Sequence, residues 1–330
     1  MKIIRAEPSL QYQFHDESFG LLEKILIKSR RERPDFNRRM FDEDFARIFH
    51  ISNHHTDNLF DISSSDDKLT NRLFGNVRTQ YEPYSIDETI REMIEDIAQS
   101  LLWFGEAHYF LRDDPSTEET HITGFSSESI FTLGRVCFQF LPKRYERHWR
   151  RDNKLLGREL RLLNRKKLMC FHLPKSIRRM LSSQNSILGS LDKYQHANME
   201  FLPKVTYGNP NPHNDFNFLA WSETHDFALY QATRKTGWNG RKYDSEKRSD
   251  FFDCHRLIKF RRNQVVLRDH ILAQLSDELT KVGKYYIPEF KIAVLPTKTL
   301  PSVKELDELE SRLSREEAGF TEVMDFCFNK

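Results

Sequence analysis

The order of elements along this 330-residue chain predicts an α+β fold. Three observations carry that prediction. A strongly periodic helix begins near Ser85, a block rich in aromatic and β-branched residues follows over 105–175, and the sequence from Ser176 onward is mostly helical in pattern. Strands and helices are segregated rather than alternating, which points to a central antiparallel or mixed sheet flanked by helices, with a helical C-terminal half.

Each element has its own signal. Within residues 1–80, LLEKILIKSRRERP predicts a short basic helix stopped by Pro34, and DISSSDDK (61–68) a polar loop. Ser85 and Glu88 form an S-x-x-E capping box, in which each side chain can satisfy a free backbone N–H. Ile86, Ile90, Ile94, Ile97 and Leu101 then recur at steps of three or four, one apolar helix face, and Gly105 is placed to end it. EAHYFLRDD, HITGF and FTLGRVCFQFLP predict strands, with DDPSTEE as a turn between the first two. RELRLL, NRKK and LMCFHLP predict a further hairpin. Ser176 to Tyr194 reads as a helix. VTYGNPNPHND (205–215) holds two Asn-Pro steps and marks a boundary near 205–214, between an α+β domain (1–204) and a mainly helical region (215–330). Residues 215–235 and 249–282 predict helices, the latter either one helix or two, with NQVV as its weak spot. EFKIAVLP predicts a short strand, and VKELDELESRLSREE an acidic amphipathic helix suited to docking on a partner protein or a second copy. There is no internal repeat.

Composition excludes several classes. A hydrophobic share of 38% and 26 Phe are enough for a packed core and unlike a disordered chain. Four cysteines, far apart and without a CxxC pair, are neither a disulfide framework nor a zinc signature, so a reducing, cytoplasmic setting is expected. MKIIRAEPSLQYQF lacks the apolar run of a signal peptide. No apolar stretch nears the ~18 residues of a membrane helix, so no membrane partner is expected. Among 12 glycines only Gly237 and Gly240 lie within five residues of one another, and neither G-x-G-x-x-G nor G-x-x-x-x-G-K-[ST] occurs. A phosphate-cradling loop needs clustered glycines, so nucleotide-binding enzymes of those types, and any cofactor, are not expected.

Charge is where the sequence speaks most clearly. The net charge is only +2. Residues 143–179, however, hold 14 Lys and Arg against three acids, which makes that segment +11 and the remainder −9. Arg outnumbers Lys there, and its planar fork suits phosphate oxygens. Binding a polyanion through such residues releases counterions, so affinity falls with salt. The candidate nucleic-acid contacts are Lys143, Arg144, Arg147, Arg150 and Arg151 in KRYERHWRR, Arg165, Lys166 and Lys167 in NRKK, and Arg178 and Arg179. Trp149 or Trp238 would stack on bases. If KRYERHWRR is helical, Tyr145 and Trp149 share a face. The same charge run could instead be a solvated face, and Trp149 a core anchor. The second basic cluster, TRKTGWNGRKYDSEKR (233–248), reads as an exposed loop around Trp238.

Catalytic signatures are sparse. Glu289-Phe-Lys291 opens an apolar strand, and E-x-K on a strand is similar to PD-(D/E)xK nucleases, where acids bind Mg²⁺ and Lys supports the attacking water. The upstream acid is missing, because Asp277 lies in helical sequence. Arg165 and His172 have the R-x6-H spacing of HEPN-type ribonucleases, yet that motif belongs on a helix and these residues read as turn and strand. His54-His55 with Asp57, and Cys254-His255, complete no four-ligand metal set. His108 and His121 read as satisfied structural histidines.

One stretch resembles a known family. SIDETIREMIEDIAQSLLWFGEAHYFLRDD is similar to the central region of tailed-phage portal proteins, where a helix ends in L-L-x-x-G and runs into a strand, followed by strands with a proline step and then helices. The matching features are Leu101, Leu102, Gly105, the strand around Tyr109, FQFLP, LMCFHLP and the helix from Ser176, over roughly residues 80–200. The resemblance implies a ring-forming structural protein of phage or mobile-element origin that passes DNA without catalysis. The chain is short for a portal and shows no long stem helices, and the +11 segment is not part of the resemblance. The resulting expectation is a non-enzymatic, nucleic-acid-associated protein, with a metal-dependent nuclease and an interaction subunit of a phage or defence-type assembly as alternatives.

Overall fold

The structure is a computed structural model and describes residues 1–10, 20–28, 36–50, 58–75, 77–78, 85–113, 120–134, 136–146, 154–199, 218–241 and 249–330. In chain order its elements are β1 (Lys2–Arg5), α1 (Leu21–Leu26), α2 (Phe36–Ala46), β2 (Phe60–Ser64), α3 (Asp67–Gly75), β3 (Val77–Arg78), α4 (Ile86–Phe104), β4 (Glu106–Asp113), β5 (Thr120–Phe125), β6 (Ile130–Leu133), β7 (Val136–Leu141), β8 (Arg144–Glu146), β9 (Lys154–Leu156), β10 (Glu159–Leu163), β11 (Leu168–His172), α5 (Lys175–Met199), α6 (Phe218–Thr236), α7 (Asp250–Gly283), β12 (Ile292–Pro296), α8 (Val303–Ser314) and α9 (Phe320–Asn329). This is an α+β protein with mixed and antiparallel sheets and a helical C-terminal half. It divides into two compact units. One comprises Met1–Arg30, His54–Leu173 and Arg268–Leu300; the other comprises Arg31–Asn53, Pro174–Leu267 and Pro301–Lys330. The boundary expected near 205–214, the DDPSTEE turn and Pro34 lie outside the described residues.

The first unit is built on α4. Ser85 Oγ accepts from the Glu88 N–H at 3.2 Å and fixes the helix start. Ile90, Met93, Ile94, Ile97, Ala98 and Leu101 are fully buried along one face. Gly105 ends the helix in the left-handed region, φ 78°, with its N–H on the Leu101 carbonyl at 2.9 Å. The strand block then forms two four-stranded sheets, ordered β1-β10-β7-β6 and β11-β4-β5-β3. Phe110, Phe125 and Leu168 from one sheet and Ile130, Cys137 and Leu163 from the other share one core.

That core corrects the hairpin expected from RELRLL–NRKK–LMCFHLP. Asn164 does organise a turn, its carbonyl accepting from Lys167 N–H at 3.1 Å. Its two flanks nevertheless part company: β10 pairs with β7 and, in parallel, with β1, whereas β11 pairs with β4. Leu163 and Leu168 are both buried, so the turn carries the chain from one sheet to the other. Within DISSSDDK the expected loop is a strand and a helix start. Phe60 and Ile62 of β2 lie opposite Pro296 and Val294 of β12, and Asp66 Oδ1 caps α3 through the Leu69 N–H at 2.7 Å. Alternating Phe60 and Ile62 was the available signal, and the serines hid it.

The second unit packs α8 and α9 on the first part of α7. Cys254, Ile258, Val265, Leu306, Leu309, Leu313, Val323 and Cys327 form its core. NQVV does not break α7, which runs unbroken for 34 residues. Val265 is fully buried, and the Gln264 amide donates to the carbonyls of Asp44 (3.1 Å), Phe45 (3.3 Å) and Arg47 (2.8 Å). Such packing outweighs a β-branched helix penalty of under about 0.7 kcal/mol per residue. The acidic helix, α8, turns its apolar face into this core rather than outward. Its acids are partly spent at home, Asp307 on Arg262 and Glu305 on Lys330.

Candidate nucleic-acid interface

The basic segment divides by its local structure. Arg144 lies on β8, opposite Leu156 of β9, so the start of KRYERHWRR is a strand and not a helix. Arg147, Trp149, Arg150 and Arg151 lie outside the described residues. Lys143 is exposed just before β8, and Arg165 and Lys166 are exposed on the turn after β10. In α5, Ile177, Leu181, Gln184 and Leu188 take the buried stripe, which leaves Lys175, Arg178 and Arg179 exposed. No described carboxylate pairs with Lys143, Arg165, Lys166, Arg178 or Arg179.

Other cations of the segment are used inside the first unit. Arg158 pairs with Glu23, which is 2% exposed. Burial raises the Glu23 carboxyl, but the hydrogen bond and charge of Arg158, with backbone donors, hold it below the usual carboxylate range. Arg161 pairs with Glu159 at 3.3 Å and donates to the Glu7 carbonyl at 3.0 Å. Lys167 donates to Asp113 at 2.6 Å and lies 4.9 Å over the Tyr285 ring. A phosphate at Lys167 would have to compete with that carboxylate.

Sequence reasoning missed Arg5. The parallel pairing of β1 with β10 sets Arg5 opposite Leu162, and Arg5, Phe138, Leu162, Arg165 and Lys167 line a cleft of about 710 Å³ in the first unit. The β-branched KIIR run was the only local hint, and its partner lies more than 150 residues away. Burial pushes the Cys170 thiol up to about 12, with the Arg165 charge acting in the opposite sense. The cleft thus joins three cations and the rings of Phe110 and Phe138, with Glu7 as its one carboxylate; cations beside rings are the parts that can hold an anionic, ring-bearing chain.

Two other expectations meet the structure here. Trp238 is not exposed. It is 3% accessible, its indole N–H donates to Asp44 Oδ2 at 2.9 Å and Phe41 packs edge-on at 5.5 Å, so it cannot stack on a base. Glu289 lies in the turn after α7, and Lys291 precedes β12 rather than sitting within it. Asp277 is on α7, and among the described residues no group of three or more His, Cys, Asp or Glu could hold a metal ion. His172 closes β11 and its N–H donates to Gln274 Oε1 at 2.8 Å, so the R-x6-H pair spans turn and strand. His108 is buried with Nδ1 2.8 Å from Ser127 Oγ, Cys254 is in the core, and His255 pairs with Glu310. His54, His55 and Asp57 lie outside the described residues. Among the described residues no helix is long and apolar enough to cross a membrane.

No family model matches the chain, and no curated protein does. Among solved structures it is similar to the neck of an empty GTA particle computed with C6 symmetry, at 9% identity and TM-score 0.49, over 93% of this chain and 91% of that one. It is also similar to a chain of the virion of a native gene transfer agent particle, at 10% identity and TM-score 0.43, over 94% and 92%. A third is an HK97-family phage portal protein from Corynebacterium diphtheriae, at 9% identity and TM-score 0.38, over 84% of this chain and 99% of that one. Likeness at this level extends over most of each chain but fixes no residue's role.

Proposed function

We propose that this chain is a non-catalytic, portal-like structural subunit that associates with nucleic acid through exposed cations of residues 143–179. The observation that carries the portal-like reading is local. Leu101-Leu102-x-x-Gly105 ends α4 in a left-handed turn and the chain passes directly into β4. The proline-terminated strands β7 and β11 and then α5 follow in the order that the sequence resemblance implies. The nucleic-acid reading is supported by Arg165, Lys166, Arg178 and Arg179, which stay exposed, and by Arg5, which joins Arg165 at the cleft.

Two measurements test the two parts separately. Fluorescence anisotropy with labelled duplex and single-stranded DNA is expected to show binding that weakens with salt. The Arg165→Glu/Lys166→Glu variant should lower the salt slope by about 0.9 for each phosphate that is no longer neutralised. Arg147→Glu/Arg150→Glu/Arg151→Glu should abolish binding while the circular dichroism spectrum stays unchanged. Unaltered binding in both variants sinks the nucleic-acid part. Light scattering coupled to size exclusion should give a mass that is a multiple of 39.4 kDa. A monomer at every concentration sinks the portal-like part.

A further inference from the structure

The second unit contains a cavity of about 590 Å³, within the ~300–1,000 Å³ range of small-molecule sites. Its walls come from the end of α2, the 237–241 turn, α7 and α9. This is where the second basic cluster of the sequence arrives. Gly237 lets the turn approach α7: it has φ 85°, and a Cβ there would stand 2.1 Å from the Arg256 carbonyl.

The walls combine two chemistries. Phe260, Phe320 and Phe328 are among the apolar lining, and Phe320 and Phe328 are 44% and 46% exposed. Four arginines face two aspartates. Both aspartates are engaged, Asp44 with Arg241 and the Trp238 indole, and Asp253 with Arg256. Arg47 is exposed at the rim and pairs with no described carboxylate. Arg261 is 2% exposed and held in the wall by hydrogen bonds to the Ile48 carbonyl and Gln264 Oε1. Two lining groups register its charge. Burial first, then Arg261, lowers the His50 imidazole to about 4, and the same charge opposes the upward push of burial on the Cys327 thiol. His50 is therefore neutral at pH 7, and its buried Nε2 has no hydrogen-bond partner among the described residues.

We propose that this cavity binds a small amphipathic anion: an aromatic or aliphatic body against Phe260, Phe320 and Phe328, bearing a carboxylate or phosphate held by Arg47 in the positive field of the wall. The lining of this cavity includes none of the cations assigned to nucleic acid, so its test is independent of that assignment.

Isothermal titration of the full chain with 3-phenylpropionate, phenyl phosphate and the neutral 3-phenylpropan-1-ol tests this directly. At least one of the two anions should bind ten times or more tighter than the alcohol, and the better of them identifies the acidic group. Arg47→Gln, at an exposed position, should erase that advantage and leave alcohol binding unchanged. Phe328→Ala should weaken all three ligands. In a variant with Trp103, Trp149 and Trp221 replaced by Phe, the fluorescence of Trp238, which lines this cavity, should respond to the bound ligands. Equal affinity for alcohol and anions, anion binding unaltered in Arg47→Gln, or no heat with any of the three overturns the proposal.

Discussion

Asp113 is the acceptor at the centre of a small polar network in the first unit. Lys167 Nζ donates to it at 2.6 Å; the Tyr286 hydroxyl donates to it too and lies 3.3 Å from Thr120 Oγ1. The Arg72 guanidinium stands 5.3 Å over the Tyr286 ring. Burial raises the Asp113 carboxyl, and the hydrogen bonds from Lys167 and Tyr286 more than reverse this, leaving it below the usual carboxylate range. A carboxyl depressed in the folded state contributes stability that is complete above the unfolded value, about 3.9, and is lost as pH falls through the lower folded value. Asp113→Asn should therefore cost about 1 kcal/mol at neutral pH, modest because the pair is partly exposed, and the cost should shrink in acid. Urea unfolding at several pH values measures both; a pH-independent difference would falsify the assignment. Gly237 makes a sharper case. Its positive φ and the 2.1 Å approach of a would-be Cβ to backbone predict that Gly237→Ala destabilises by about 2 kcal/mol or more. A variant as stable as the wild type in urea would show that the turn can move away from α7.

At the scale of the element, caps and buried stripes decide where helices start and how long they run. Ser85→Ala removes the acceptor for the Glu88 N–H and should cost about 1 kcal/mol, while Ile97→Ala opens a cavity in the buried face and should cost about 2–5 kcal/mol. Chemical denaturation ranks the two, and a reversed order would mean α4 is held mainly by its end. α8 has the complete capping box, Ser302 Oγ accepting from Glu305 N–H at 3.2 Å and Glu305 Oε2 accepting from Ser302 N–H at 2.9 Å. In α7 a single amide does comparable work from the middle. Gln264→Ala leaves three carbonyls at the end of α2 without their donor and should cost about 1–3 kcal/mol.

At the scale of the whole molecule the charge asymmetry has a bulk consequence. A net charge of +2 would barely hold a protein on a polyanionic column, whereas a concentrated +11 segment should retain this one on heparin. The Arg165→Glu/Lys166→Glu variant should elute at lower salt than the wild type. Flow-through of the wild-type chain would mean that the segment does not present its charge together. The α+β class, α4 with its cap and terminator, most strands of the central block, α5 and α8 were legible in the sequence, because each rests on signals within a few residues. Pairing was not legible. Whether β10 and β11 form a hairpin, whether β1 lies beside β10, and whether β2 finds β12 depend on partners far along the chain. Charge shows the same division. The sequence determined that 14 cations crowd into residues 143–179. Only the tertiary structure decided that Arg158, Arg161 and Lys167 are drawn into ion pairs, that Arg5 joins Arg165, and that Trp238 is walled in by Phe41 and Asp44. The reason is physical: local order follows from backbone sterics and periodic burial, whereas the fate of a charge or a ring is set by whichever distant carboxylate or apolar face the fold brings within a few ångströms.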